Sequence, residues 1–513
     1  MKKMKLWLFL VLGSAIPVFA GPAVKELIFS ADFNSPQECL KWQMPSIATF
    51  DPAGGCDGSG AVKFAAEEKC DAMMTIDIPI AEVRGCGVLI SGYLKGEKIE
   101  PPALSYLGHK MMLIITTPER TMYPDIERKT GSYDWQKFSY YVWVPDDATR
   151  FQIGLGLQGT TGTVWADQIR LYRVRQERKL LSPANRENEI PVRPEYRGVM
   201  SGNDLSEAAF QNLHSWNANL MRFQLSRGNA DCSSPAAFLD QVRKELARLD
   251  RVLPLARKYG VKLVIDLHFG PKTRITALAG NDLACTEEQK QLLIQAWREI
   301  AAKYRNEPAI YGYDILNEPG GERFFYTQGD SDWNDLAEQV ARAIREIDGR
   351  TPIIVESINY ASPESFSSLR PIDLPHIIYS FHFYLPHLYT HQGVGNYQLK
   401  YSYPGMVAGE KWDIDTLRRQ VQPVIDFQKK YRVKIYVGEF GATYISPGAE
   451  RYLADAITVF EENGWDWTYH AYREWPGWSC EHSGTDISKP QPSPANPRKR
   501  VLLSAFAENH NRP

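Results

Sequence analysis

Two acidic residues stand where a folded chain has little structural use for them. Tyr311-Gly312-Tyr313-Asp314-Ile315-Leu316 is an apolar, aromatic and β-branched run that breaks at Asn317-Glu318-Pro319-Gly320. Such a run reads as a buried strand, and proline removes the next backbone donor and ends the ladder. Lys434-Ile435-Tyr436-Val437-Gly438 has the same build and stops at Glu439-Phe440-Gly441, where glycine lets the chain turn away. Two glutamates at the carboxyl ends of two buried strands make a paired-carboxylate site. Such a pair divides the labour when its surroundings differ: one group stays charged and the other carries a proton.

The elements around these stretches alternate. Strands are predicted near Arg197–Met200, Asn219–Phe223, Val261–Leu267, the run ending at Asn317 and Glu318, Pro352–Glu356, His376–Phe381, Lys434–Gly438 and Trp465–Tyr469. Between them lie helical patterns. Ser234-Pro235 caps one, with Phe238, Val242, Leu246, Leu249 and Leu253 at helical spacing and Gly260 closing it. Thr286-Glu287-Glu288-Gln289 opens another as a capping box. Further helices fall at 331–347, 413–430, 446–463 and 498–508. Eight such units over about 310 residues fit an α/β fold, a (β/α)8 TIM barrel. The alternative is a doubly wound open sheet, but no Gly-rich phosphate loop follows the first strand. In a barrel, polar residues at carboxyl strand ends share one mouth. They are Arg222, His268, Asn317, Glu318, His382, Tyr384 and Glu439. Asp266 and Asp314 sit inside their strands and read as barrel-interior partners.

Taken in order, Tyr313-Asp314-Ile315-Leu316-Asn317-Glu318-Pro319, Ser380-Phe381-His382-Phe383-Tyr384 and Gly438-Glu439-Phe440-Gly441 resemble the motifs of glycoside hydrolase family 5. These are the cellulase-type retaining β-glycosidases, and the likeness covers residues 195–510. The resemblance implies Glu439 as nucleophile and Glu318 as acid and base. It implies that Arg222 and Tyr384 hydrogen-bond Glu439, that Asn317 holds the sugar 2-hydroxyl, and that His268 and His382 line the site. It implies a β-linked glycan substrate such as β-glucan or cellulose, with β-mannan, xyloglucan or exo attack as alternatives, and no catalytic cofactor or metal. A non-catalytic glycan-binding barrel is the competing class, and the intact glutamate pair argues against it. The sequence departs from the family at the eighth strand. His470 stands where family members commonly carry a tryptophan, so Trp467 or Trp475 becomes the expected sugar platform, unless there is none. Trp478 reads as a loop packing residue. The loop Leu385–Trp412 brings Tyr389, Tyr397, Tyr401, Tyr403 and Trp412, suited either to stacking on sugar rings or to packing the loop.

The rest of the chain frames this unit. At 513 residues it is too long for one core. Residues 25–175 carry short alternating runs that predict an antiparallel β-sandwich (jelly-roll) domain. Phe151, Ile153, Leu155 and Leu157 share one face, opposite Gln152 and Gln158. Gly162-Thr163-Val164-Trp165-Ala166-Asp167-Gln168-Ile169-Arg170-Leu171 resembles the last strand of jelly-roll carbohydrate-binding modules, which implies a structural calcium at Asp167. A glycan-binding face would use Tyr141, Trp143 and Trp165; the other reading is a sandwich that only packs on its neighbour. Residues 176–194 read as a charged, proline-spaced linker.

Met1–Ala20 has early lysines, an apolar run and small residues before the candidate cleavage site Val18-Phe19-Ala20, the pattern of a signal peptide. That predicts a secreted or periplasmic protein; an uncleaved anchor is the alternative. No later stretch is apolar enough to cross a membrane. A net charge of −2 without a basic stripe excludes nucleic acid as a partner. Seven cysteines in an exported chain permit disulfides, and Cys232 with Cys285 is the predicted pair; no spacing resembles a zinc site.

Overall fold

The computed structural model describes residues 24–510, apart from 104–106, 119–120, 127–128, 176–179, 188–189, 203–204, 226–233, 272–286, 320–325 and 329–332. Met1–Ala20, Thr286 and the Cys232–Cys285 pair lie outside the described residues. Cys39, Cys56, Cys70 and Cys480 carry free thiols. Among the described residues no helix is long and apolar enough to cross a membrane.

The second half is a closed parallel barrel. Its strands are β1 (Arg197–Ser201), β2 (Leu220–Gln224), β3 (Lys262–Asp266), β4 (Ile310–Asp314), β5 (Ile353–Glu356), β6 (Ile377–Phe383), β7 (Lys434–Phe440) and β8 (Asp466–Tyr469). β8 pairs with β1 in parallel and closes the ring. The helices end where their local chemistry ends them. Pro235–Tyr259 is capped by the Ser234 side chain, which accepts from Ala237 N at 3.2 Å, and stops at Gly260 with φ +69°. The pattern at 413–430 is two helices, Ile414–Gln420 and Gln422–Tyr431. Pro423 falls in the first turn of the second, where its missing N–H costs nothing.

Strand alternation sorts the barrel side chains. One set faces the helices and builds the main core, with Trp297, Trp333, Trp465 and Trp467 fully buried. The other set fills the interior in layers. Lowest are Leu220, Val264, Ile354, Ile378 and Tyr436. Above them sits Arg222, fully buried among Asp266, Asp314, Glu356 and Glu439. The layer of charge therefore rests on an apolar floor at the carboxyl end of the strands, the end that carries the active site in barrels of this kind.

The first half is antiparallel. The long strand Arg150–Arg175 pairs with Val24–Ala31, Ala61–Ile78, Gly87–Ile99 and Gly108–Thr116, and Gly131–Trp143 adds beside Gly87–Ile99. Phe151, Ile153, Leu155 and Leu157 are fully buried in the core these strands enclose. Of the three aromatics considered for a glycan-binding face, Tyr141 and Trp143 are buried. Trp165 is half-buried under Lys63 and Lys95, and its indole N–H donates to Asp51.

The two halves are joined by more than chain. In the segment between them Leu181 is buried in the barrel core, and Ser182 and Asn185 donate to Asp373. Tyr326–Gln328, from the stretch that follows Glu318, pairs antiparallel with Tyr140–Val142 at the edge of the first-half sheet.

Candidate active site

Four of the mouth residues arrive by simple alternation. On β2, Leu220 faces the interior, so Arg222 does as well; on β3, Val264 sets the same direction for Asp266 and His268. On β6, Ile378 leads to Ser380, His382 and then Tyr384. Glu439 needs a different device. Tyr436 faces in, so alternation would turn Glu439 outward. A register shift between β6 and β7 skips one residue: Phe381 pairs with Val437, but His382 pairs with Glu439. The skipped residue is Gly438. A Cβ there would lie 2.9 Å from His382 Nε2 and 3.1 Å from Ser380 Oγ, so the bulge requires glycine.

Glu318 sits past the end of β4 with its backbone in the left-handed region, φ +44°. For a residue with a side chain this costs on the order of 1 kcal/mol and persists only where the surroundings impose it. Here Glu356, at the end of β5, accepts the Glu318 backbone N–H at 2.6 Å.

The side chains converge. Arg222 Nη1 donates to Glu439 Oε1 at 2.6 Å, its Nε to Asp314 at 2.9 Å, and its Nη2 to Glu356 at 2.8 Å and Asn317 Oδ1 at 3.1 Å. The Tyr384 hydroxyl donates to Glu439 Oε2 at 2.8 Å. His382 lies between the acids, with Nδ1 2.8 Å from Glu318 Oε1 and Nε2 3.1 Å from Glu356 Oε1. His268 Nδ1 is 2.7 Å from Asp266. One carboxylate oxygen of Glu318, one of Glu439 and a ring nitrogen of His382 all lie within 4.8 Å of one another.

The electrostatics separate the two glutamates. Burial alone would push the Glu439 carboxyl up, but His382, His470, Arg222 and His268 override it and hold it well below the usual carboxylate range. Glu318 is raised, first by burial and then by the negative Glu439 and Glu356, against the opposing hydrogen bond from His382. His382 is raised well above an ordinary imidazole because Glu356, Glu439 and Glu318 outweigh its burial. Asp314 is pushed well up by burial and by Glu356.

Of the expected sugar-contacting aromatics, Trp467 is not at the mouth. Thr468 and His470 take the inward positions on and after β8. Trp467 faces the helices, stacked on Phe506 at 5.5 Å, with its N–H donating to Glu461. Trp475 is 38% exposed at the rim and meets Trp478 edge-on at 5.9 Å. Trp478, read from sequence as loop packing, lies under the site: it stacks on His470 at 5.7 Å and touches Tyr384 and His391. Tyr389, Tyr403 and Trp412 are buried as loop packing, whereas Tyr397 is exposed. Glu356 and Glu474 escaped the sequence reading. Glu356 carries the same signal as the recognised pair, an apolar strand that ends in glutamate.

Two groups of side chains are close enough to hold a cation. In the mouth, both His382 nitrogens are spent on carboxylates. In the first half, Cys56, Asp57 and Asp167 adjoin, but Asp167 already accepts from the backbone N–H of Cys56 and of Gln168. A thiol and so few open oxygens do not fit calcium, which takes six to eight oxygen ligands.

Part of the chain matches known proteins. The family described as Cellulase (glycosyl hydrolase family 5) matches residues 187–474. "Endoglucanase C" of Acetivibrio thermocellus is 31% identical over 257 residues, 44% of this chain and 72% of that protein. "Cellodextrinase A" of Ruminococcus flavefaciens is 28% identical over 208 residues, 38% of this chain and 57% of that one. A solved structure described as a glycoside hydrolase aligns with TM-score 0.50 at 19% identity, covering 62% of this chain and 99% of its own. That last likeness is one of fold.

Proposed function

The chain belongs to the cellulase family, glycosyl hydrolase family 5, and on that premise we propose that this endo-β-glycanase-type hydrolase is exported, acts on β-glucan and works by double displacement with retention. The observation that carries the mechanism is the mutual position of Glu318 and Glu439, with carboxylate oxygens within 4.8 Å. Retaining enzymes place their carboxyl groups about 5–5.5 Å apart, whereas inverting enzymes leave room for a water at about 6.5–9.5 Å.

In the first step Glu439, ionised among its cations, attacks the anomeric carbon. The bond from that carbon to the glycosidic oxygen breaks, and Glu318 gives its proton to the departing oxygen. The ester at Glu439 carries no charge, so Glu318 loses one of the neighbours that raised it and becomes a base. It then takes a proton from water as water attacks the anomeric carbon and Glu439 leaves as carboxylate. Arg222 and Tyr384 hold one carboxylate oxygen each. Asn317 turns its oxygen to Arg222, and its amide is the group assigned to the sugar 2-hydroxyl. Trp475 and Tyr397 offer exposed rings at the rim. The scheme uses no cofactor or metal.

β-Glucan is the substrate that the names of the relatives support, and the signal-like Met1–Ala20 supports export. The test is hydrolysis of soluble β-glucan, β-mannan and xyloglucan, followed by NMR, with Glu439→Gln as control. Release of the β-anomer first from β-glucan is the expected result; the α-anomer appearing first overturns double displacement, and preference for mannan overturns the substrate assignment.

A further inference from the structure

We propose that Glu474 and His470 are positioning residues that fix the direction of the Tyr384 hydroxyl, so that its proton points at the nucleophile. The proposal rests on the reading of Glu439 as nucleophile. Tyr384 Oη lies 2.8 Å from Glu439 Oε2 and 2.5 Å from His470 Nδ1. A phenol has a single proton, so it donates to only one of these neighbours. If Nδ1 carries a hydrogen, it donates to the phenol oxygen and the hydroxyl proton goes to Glu439. If Nδ1 is bare, it accepts that proton and Glu439 loses the donor.

The choice is made on the far side of the ring. His470 Nε2 is 3.5 Å from Glu474 Oε2. A carboxylate there favours the imidazolium, in which both ring nitrogens donate. The donors then run in one sense, from Nδ1 to Tyr384 and from Tyr384 to Glu439, with Glu474 acting across 3.5 Å as the counter-charge of the ring and not as a hydrogen-bond acceptor. The other groups around the ring are consistent with this. Glu439 Oε2, 3.6 Å from Nδ1, also favours the cation. His268 opposes it, and the indole of Trp478 is a neutral face stacked on the ring. His391 reaches the same Tyr384 and Trp478 rings, and burial holds its pKa down to about 3, so it is neutral. On balance His470 is raised despite its burial, by Glu474 ahead of Glu439.

The pair also supplies a cation beside the nucleophile. Glu439 therefore depends on a carboxylate that never touches it: without Glu474, His470 loses charge, Glu439 becomes more basic, and its second oxygen loses a donor. The side chains of His470 and Glu474 are 13% and 25% exposed, so Glu474 can be exchanged without opening the core.

The experiment compares Glu474→Gln and Glu474→Asp with the wild type. An activated 2-deoxy-2-fluoro-β-cellobioside reports the first step through its inactivation rate, and the pH profile of kcat/KM reports the ionisation of Glu439. Expected for Glu474→Gln are inactivation slowed by about tenfold, little change in KM, and an acid limb moved to higher pH, with Glu474→Asp restoring most of each. Side-chain 15N NMR should find both His470 nitrogens protonated at neutral pH in the wild type and only one in Glu474→Gln; this second measurement does not depend on activity. A wild-type acid limb in Glu474→Gln, a rise in KM alone, or a neutral His470 in the wild type overturns the proposal. Peptide mapping separates the two layers of argument. If the fluoro-sugar is found on Glu439 and the variants behave as wild type, only the positioning pair fails; if it is found elsewhere, the nucleophile assignment fails and the pair with it.

Discussion

The carboxyl ends of β4 and β7 present the same side chain in opposite surroundings. Glu439 comes off a bulged strand, is 6% exposed, and has Arg222 on one oxygen and Tyr384 on the other. Glu318 stands beyond its strand, is 21% exposed, and has His382 on one oxygen, with the anions Glu356 and Glu439 nearby. The residue type determines neither role. In the proposed mechanism, fixed donors and cations suit one group to be the charged nucleophile, and burial among like charges suits the other to carry the proton.

The largest test of this contrast is Glu439→Gln. Among the described residues no other group is proposed to attack, so activity should fall by roughly 10⁴-fold or more on natural and activated substrates alike. Azide added to Glu439→Gly should restore some turnover with inverted product; retained product would assign the nucleophile elsewhere. Glu318→Ala should be selective. Natural substrate needs the acid and should lose about 10²–10⁴-fold, whereas activated aryl glycosides should keep a fast first step and show a burst of aryl leaving group. Equal losses on both would erase the distinction between the two glutamates.

A smaller change should disturb both together. Gly438→Ala presses a methyl against His382, which holds Glu318 and neighbours Glu439, so kcat should drop by about 10- to 100-fold while the melting temperature moves little. A wild-type kcat would show that the bulge tolerates a side chain. The finest test is titration. Glu318 is raised in part by the charge on Glu439, so in Glu439→Gln its 13C carboxyl signal should titrate lower than in the wild type. In the wild type, activity should fall on the alkaline side as Glu318 loses its proton, and persist far down the acid side because Glu439 stays ionised. An unmoved Glu318 titration would leave burial and Glu356 as the causes of its shift.

Much of this was legible from sequence, for identifiable reasons. Runs such as Ile353-Ile354-Val355 and Tyr436-Val437 are apolar on both faces, the mark of strands buried between barrel interior and helices, and all eight strands fall within a few residues of their predicted places. The same property hid which face is which. With both faces apolar, nothing in Trp465-Asp466-Trp467-Thr468-Tyr469 says that Thr468 points in and Trp467 out. The bulge at Gly438 was hidden because it depends on where His382 lies, a contact between strands. Glu474 was hidden for a similar reason: the ring it faces, His470, acquires its role from Tyr384, which lies 86 residues earlier in the chain than His470.

The strand Tyr326–Gln328 changes what it means to cut this protein in two. It follows the segment that carries Glu318 and hydrogen-bonds to the edge of the N-terminal sheet along Tyr140–Val142. An open sheet edge invites foreign strands, and here a piece of the enzyme itself occupies that edge. The N-terminal half is therefore a splint rather than cargo. Grafting the barrel onto another module, or this module onto another barrel, would split one sheet between two proteins and leave each with an unmatched edge. A chimera that respects the architecture would carry the strand and its sheet together.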